Sequence, residues 1–325
     1  MSHISVKDFA EKMSVVGMYI VADVSTAVTT KGDPYMRIVL QDSTGKFNCN
    51  AWFVDNSIVS GKVVTIDMKV QAYNGKLNGI INSISVVADQ LSQEQLSELI
   101  PYTPYNIDEM WAKLNAMILS IKDKELYSLV SDMINDASDM YRSIPAARGV
   151  HHDTIGGLLQ HTLEMALTAD SIANLYPVVN RDLLVAGTIL HDYAKTREFC
   201  INNLGLCDNY SLEGNLLGHL HMGACMVEEK GRALKISEEK ILLLKHMLLS
   251  HHGNREWGAV SLPSIPEASM LFLIDMISSR MEIFRKEYGK LGIGERSLES
   301  CRVLDGAFVY RHSLSPDIEN TDLKL

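Results

Sequence analysis

The hydrophobic period of the chain changes near residue 91, and that change restricts the fold more than any other feature. Between Val15 and Val87, apolar and β-branched residues come in short runs separated by turn formers. The runs are Val15–Val28, Tyr35–Gln41, Lys46–Phe53, Val63–Tyr73 and Leu77–Val87. The breaks between them include TTKGDP, DSTGK and the favoured hairpin turn Asn74–Gly75. From about Leu91 the spacing becomes helical: Leu91–Leu99, a helix capped by Asp108 and running to Ile121, and Lys124–Tyr141. Further helices are expected at about 156–174, 181–190, 213–230, 237–251 and 266–288. The Pro-containing stretch IPYTPYN marks the joint between the two halves.

Five short strands with a break after the third suit a small closed barrel. An OB-fold has that strand count, and an SH3-like barrel is the rival that counting leaves open. The expected division is residues 1–95 as the barrel, 96–108 as a linker, 109–290 as an all-α domain and 291–325 as a polar, extended tail.

Composition excludes some classes of function. No apolar run reaches the roughly 18–20 residues of a membrane span, and the N-terminus MSHISVKDFAEKM lacks the apolar core of a signal peptide. A cytoplasmic location without membrane contact is therefore expected. Five scattered cysteines with no CxxC pair argue against a disulfide framework and a zinc ribbon. The net charge of −10 speaks weakly against nucleic acid, but residues 1–90 carry eight basic and eight acidic side chains, so the whole excess lies beyond them.

Five positions stand out in the helical half: His161 in GGLLQHT, His191–Asp192 in LHDYAK, His219 in GHLHMG, His251–His252 in SHHG, and Asp275 in LFLIDMIS. A carboxylate inside an apolar helix is costly unless it is paired or binds a metal. The bland reading of Asp275 is an ion pair with Arg280, and that of each histidine a hydrogen-bonded core residue. Taken together, imidazole and carboxylate donors from separate helices suit Mn, Fe, Co, Ni or Zn better than Mg.

The order H…HD…H…H…D resembles the HD-domain metal phosphohydrolases. The stretches IPAARGVHHDTIGGLLQHTLEMA, ILHDYAKTREF, YSLEGNLLGHLHMG, SHHGNREWG and PEASMLFLIDMIS resemble the YhaM-type 3′–5′ exoribonucleases of Gram-positive bacteria. RIVLQDSTGK, AWF and VQAYNGKL resemble the OB-fold that precedes the HD domain in that family, so the likeness runs over roughly residues 10–285. The fold class it implies is multi-domain α and β, a small N-terminal OB-fold β-barrel followed by an all-α HD domain.

By resemblance, His161, His191, Asp192 and Asp275 form one metal site, and His219 and His251 complete a second, with Asp192 bridging two divalent ions, manganese among them. His252 and His151 are left between metal and substrate. Lys195 matches the lysine of the HDxxK stretch and faces phosphate. His152 is assigned to phosphate contact or proton transfer, and Arg148 to a phosphate clamp. Tyr193 and Ala194 depart from the family's HDIGK form. Two such ions, roughly 3.5–4 Å apart, activate water for in-line displacement at phosphorus. The implied activity is removal of nucleoside 5′-monophosphates from the 3′ end of single-stranded RNA, with DNA and a homo-oligomeric state left open. The alternatives are a nucleotidase or cyclic-(di)nucleotide phosphodiesterase, and a non-catalytic single-strand-binding protein. On the barrel, Tyr35, Arg37, Tyr73 and Lys76 are the strand-binding candidates, with Phe47 and Trp52 weighed beside them. One of the adjacent pair Trp52 and Phe53 is expected to point inward.

Overall fold

The structure, a computed structural model, describes residues 3–73, 75–87, 91–147, 152–202, 204–205 and 207–316. Arg148 and His151, both expected near a site, lie outside the described residues. The chain divides into two packed units: Met1–Tyr102 with Ile201–Asn209, and Thr103–Cys200 with Tyr210–Leu325.

The first unit is a closed five-stranded barrel of β1 (Ser14–Val28), β2 (Pro34–Asp42), β3 (Gly45–Ala51), β4 (Val63–Tyr73) and β5 (Lys76–Val86). The order around it is β1-β2-β3-β5-β4, with β3 and β5 parallel and all other neighbours antiparallel. That closure is OB-like and removes the SH3-like rival. Strand β1 serves two partners because its register shifts between Val21 and Asp23: Ser14–Ile20 pair with β4, and Ile20–Val28 pair with β2. The irregularity bends the strand around the barrel. Alternation then sends Met36, Ile38 and Leu40 inward with Val15, Tyr19, Val64, Ile66 and Met68. Helix α1 (Gln93–Leu99) follows, its start fixed by a reciprocal pair in which Ser92 Oγ accepts from Gln95 N and Gln95 Oε1 accepts from Ser92 N.

One strand end differs from expectation. β3 stops at Ala51, so Trp52 and Phe53 leave the pleat together and neither turns inward; they are 56% and 36% exposed.

The second unit contains α2 (Ile107–Leu119), α3 (Lys124–Asp136), α4 (Ser138–Ser143), α5 (Gly157–Ala173), α6 (Arg181–Leu190), α7 (Lys195–Glu198), α8 (Leu212–Ala233), α9 (Glu238–Ser250) and α10 (Pro266–Tyr288). A small ladder pairs β6 (Phe199–Ile201) with β7 (Cys207–Tyr210). The cap of α2 is Asn106 rather than Asp108: the Asn106 carboxamide accepts from the amides of residues 108 and 109, which leaves Asp108 in the first turn facing the positive end of the helix. The expected helix 124–141 breaks at Ala137 (φ −118°, ψ 20°). The break lets Tyr141 point into the core, where its hydroxyl donates to Ile189 O at 2.8 Å and lies 2.8 Å from Thr162 Oγ1.

Residues 290–316, expected to be extended, fold back on the helical unit. Leu304 and Val309 are buried against Ile283 of α10, and the Arg311 guanidinium donates to the carbonyls of Tyr288 and Leu291. A few apolar side chains and one cation suffice to fold back a polar stretch whose periodicity gives no sign of it. No helix among the described residues is long and apolar enough to cross a membrane.

Candidate metal centre

Residues 183–190 of α6 are all buried, so the end of that helix is fixed inside the core. His191 caps it, and Asp192 follows at once, both almost fully buried. Around this dipeptide the fold gathers His161 from α5, His219 from α8, His251 and His252 from the end of α9, and Asp275 from the middle of α10. Ligands held at the ends of rigid, buried elements keep their geometry.

The two oxygens of Asp192 face different partners. Oδ2 lies 3.3 Å from His191 Nε2 and 3.9 Å from His161 Nε2, and His161 Nε2 is 3.4 Å from Asp275 Oδ1. Oδ1 lies 3.4 Å from His219 Nε2 and 3.9 Å from His251 Nε2. Ligating atoms of His161, His191 and Asp192, of His191, His251 and Asp275, and of His219, His251 and His252 each fall within 4.8 Å of one another.

The outward nitrogens settle what the inward ones are. His191 Nδ1 donates to Thr188 O, and His251 Nδ1 to Leu248 O, each at 2.7 Å. His252 Nδ1 donates to Trp257 O at 2.9 Å, and His219 Nδ1 to Glu198 Oε1 at 3.1 Å. His161 Nδ1 donates at 3.0 Å to Ser278 Oγ, whose own proton goes to Glu164 Oε2. These acceptors fix Nδ1 as the protonated nitrogen, so in each neutral ring Nε2 presents a lone pair to the centre.

Such a cluster fits a cation. His191 Nε2, His219 Nε2 and Asp192 Oδ1 are buried without a hydrogen-bond partner, a state proteins avoid unless another group completes it. Burial opposes ionisation of Asp192, yet the Lys195 ammonium, joined by His191 and His219 when those rings are protonated, outweighs it and holds the carboxyl well below the usual range. Burial likewise opposes ionisation of Asp275, and His161, when protonated at Nε2, more than offsets this. Burial, reinforced by neighbouring imidazoles, pulls His251 well below the usual imidazole value and lowers His252. Ionised carboxylates and neutral imidazoles are the forms that ligate metals, and the mixed nitrogen and oxygen set suits divalent transition ions.

Two features behind this set escape sequence reasoning. Glu198, buried at the end of α7, accepts from both the ring and the main-chain N–H of His219. That main-chain donor is available because Gly218 breaks α8 at φ 69° and ψ 157°, a conformation suited to glycine. Glu164, whose carboxyl burial pushes up, orients His161 through Ser278.

The remaining candidates fall as follows. Lys195 Nζ donates to Asp192 Oδ2 at 2.5 Å and lines the cleft. His152 is 1% exposed, takes φ 46°, and packs behind His161 with ring centroids 5.2 Å apart, so it is not placed to touch a substrate phosphate. Tyr193 is buried and is not among the residues that line the cleft. Arg280 pairs with Asp305, not with Asp275. The cleft itself, about 250 Å³, has Asp192, Lys195, His251, His252 and Asp275 along one side and Trp257, Phe272 and Met276 along another.

On the barrel, Arg37 is exposed and its Nε donates to Tyr35 OH at 2.9 Å, while the Tyr35 ring is largely covered by Trp52 at 5.0 Å between centroids. Trp52 is therefore the more accessible of the two aromatics. Phe47 packs on Phe9 and belongs to the core. Lys76 is exposed beside the end of β4; the side chain of Tyr73, opposite it in register, lies outside the described residues.

Residues 158–280, under half of the chain, match the family model described as HD domain, a family of metal-dependent phosphohydrolases. Residues 100–180 match a model described as putative helicase. Among solved structures, 28% of the chain aligns with the whole of the second OB-fold domain of replication protein A from Methanococcus maripaludis, at 13% identity and a TM-score of 0.22. A further likeness joins 25% of the chain to 96% of a mitochondrial single-stranded DNA binding protein from S. cerevisiae, at 18% identity and a TM-score of 0.20. Scores this low add nothing to what the strand order already gives.

Proposed function

We propose that this chain is a two-metal 3′–5′ exonuclease acting on single-stranded RNA, releasing nucleoside 5′-monophosphates. The observation that carries the reading is the division of Asp192: one oxygen faces His161 and His191, the other His219 and His251. A carboxylate so divided is arranged to bridge two cations. His161, His191, Asp192 and Asp275 would hold one, and Asp192, His219 and His251 the other, with His252 beside the second set. When bound, such ions lower the pKa of a water and neutralise charge on a phosphodiester.

The chain's own groups do the rest. Lys195, anchored on Asp192 at the cleft wall, offsets charge on the non-bridging phosphate oxygens. The outward hydrogen bonds of the histidines keep the rings from turning as charge moves. The barrel is consistent with a polymeric substrate, since Tyr35 joins an exposed cation to an exposed ring: Arg37 donates to its hydroxyl and Trp52 packs on its ring.

The test is a manganese-supplemented digestion of 5′-labelled single-stranded RNA. A ladder shortened from the 3′ end is expected, and its loss in Asp192→Ala. Hydrolysis confined to nucleotides or cyclic dinucleotides would replace this reading with a nucleotidase or phosphodiesterase. RNA binding without turnover in the metal-loaded protein would favour the non-catalytic alternative.

A further inference from the structure

The carboxylates, histidines and Lys195 of the cleft account for a phosphate, but its apolar lining has no part in that chemistry. It is built from Trp257, Phe272 and Met276, and the residue that completes it, Ser279, already donates its hydroxyl to Asp275 O at 2.8 Å. Trp257 is 49% exposed, although it lies in a concave site where a structural tryptophan would bury its ring.

Its position is fixed by the same loop that carries two of the histidines. Trp257 O accepts from His252 Nδ1 at 2.9 Å, so the backbone that carries the indole is tied to the imidazole. Behind them Gly253 takes φ 70°, and a Cβ there would lie 2.2 Å from the Phe272 ring. The glycine lets Phe272 press against the backbone and stand beside Trp257, with ring centroids 6.1 Å apart. The result is a rigid aromatic face held a few ångströms from the carboxylates.

We infer that Trp257, backed by Phe272 and Met276, is the stacking wall for the base of the nucleotide whose phosphodiester is cut. The inference rests on the phosphodiesterase reading above and deepens it: the substrate must carry a planar heterocycle. Among the described residues the wall offers no side-chain amide or guanidinium, and the proton of its one hydroxyl is engaged, so it presents no matched donor and acceptor pair to a base edge. Any of the bases is accepted, as stacking on an aromatic face allows.

The experiment compares two 5′-labelled RNAs that differ only in whether the 3′-terminal ribose carries a base. Manganese-loaded wild-type protein is expected to favour the base-bearing end about tenfold in kcat/KM. In Trp257→Leu the two ends become equivalent, and Trp257→Phe recovers most of the preference. A base preference that survives intact in Trp257→Leu overturns the inference. If the wild-type protein cuts neither RNA, the exonuclease reading fails by itself, and binding to the manganese-loaded protein then decides the wall. Adenosine 5′-monophosphate bound about tenfold more tightly than ribose 5-phosphate, with the difference lost in Trp257→Leu, upholds it. Equal affinities in the wild-type protein overturn it.

Discussion

Replacing Glu198 by glutamine tests whether the kink in α8 exists to present His219. The carboxylate accepts two bonds from one residue, at 2.9 Å from the His219 main-chain N–H and 3.1 Å from its ring. Glutamine keeps an acceptor oxygen but loses the charge. Bonds to charged groups contribute about 1.5–3 kcal/mol and neutral ones about 0.5–1.5 kcal/mol, so each bond weakens by about 1 kcal/mol. Two such losses make about 2 kcal/mol, or roughly thirtyfold in affinity, within the 10- to 100-fold typical of residues that orient a metal ligand. The effect should fall on the cation held with His219 and His251, and spare the one held with His161, His191 and Asp275. Competition of the purified protein with a fluorescent chelator for manganese resolves the two affinities. One weakened site beside one unchanged site is expected. Two unchanged sites, or two equally weakened ones, would refute the reasoning.

Three further outcomes follow from the geometry. Stripping metal with chelator should lower the melting temperature, because a ligand at about 100 times its Kd contributes about 2.7 kcal/mol to the folded state; calorimetry with and without manganese measures it, and identical curves would count against a metal centre. Trp52→Ala should weaken binding of single-stranded RNA by about 1–3 kcal/mol without changing stability, since its ring is 56% exposed; a gel-shift titration that does not move rules out that role. Leu304→Ala should cost about 2–5 kcal/mol in urea unfolding, because Leu304 is buried against α10; a loose tail would show no cost.

The histidines and aspartates were legible because each lies within or at the end of a helical run, as Asp275 does in the apolar LFLIDMIS. Their supporting groups were not. Glu198 sits in KTREF, which reads as a solvated turn, and nothing in spacing says that its carboxylate faces inward. Gly218 lies in a helical pattern that tolerates an isolated glycine, so the kink is visible only in its dihedrals. Trp257 belongs to a loop, where no period assigns a face. On the barrel, a two-residue difference in the end of β3 decided whether Trp52 is core or surface, and strand ends are where period-based reading is weakest. The order of the barrel strands was legible only as a count, because pairing between β1 and β4, or β3 and β5, spans distances along the chain that local sequence does not encode.

The outward-held imidazoles have a consequence for the life of the protein in a cell. With each Nδ1 committed, the lone pairs of His191 and His219 and the carboxylate of Asp192 oppose one another inside the core whenever no cation joins them. A copy folded without its metal is thus poised nearer to unfolding than a loaded one, and degradation acts on the unfolded fraction. Proteolysis would then clear empty copies first, so that the amount of protein present follows the metal supply without any dedicated sensor.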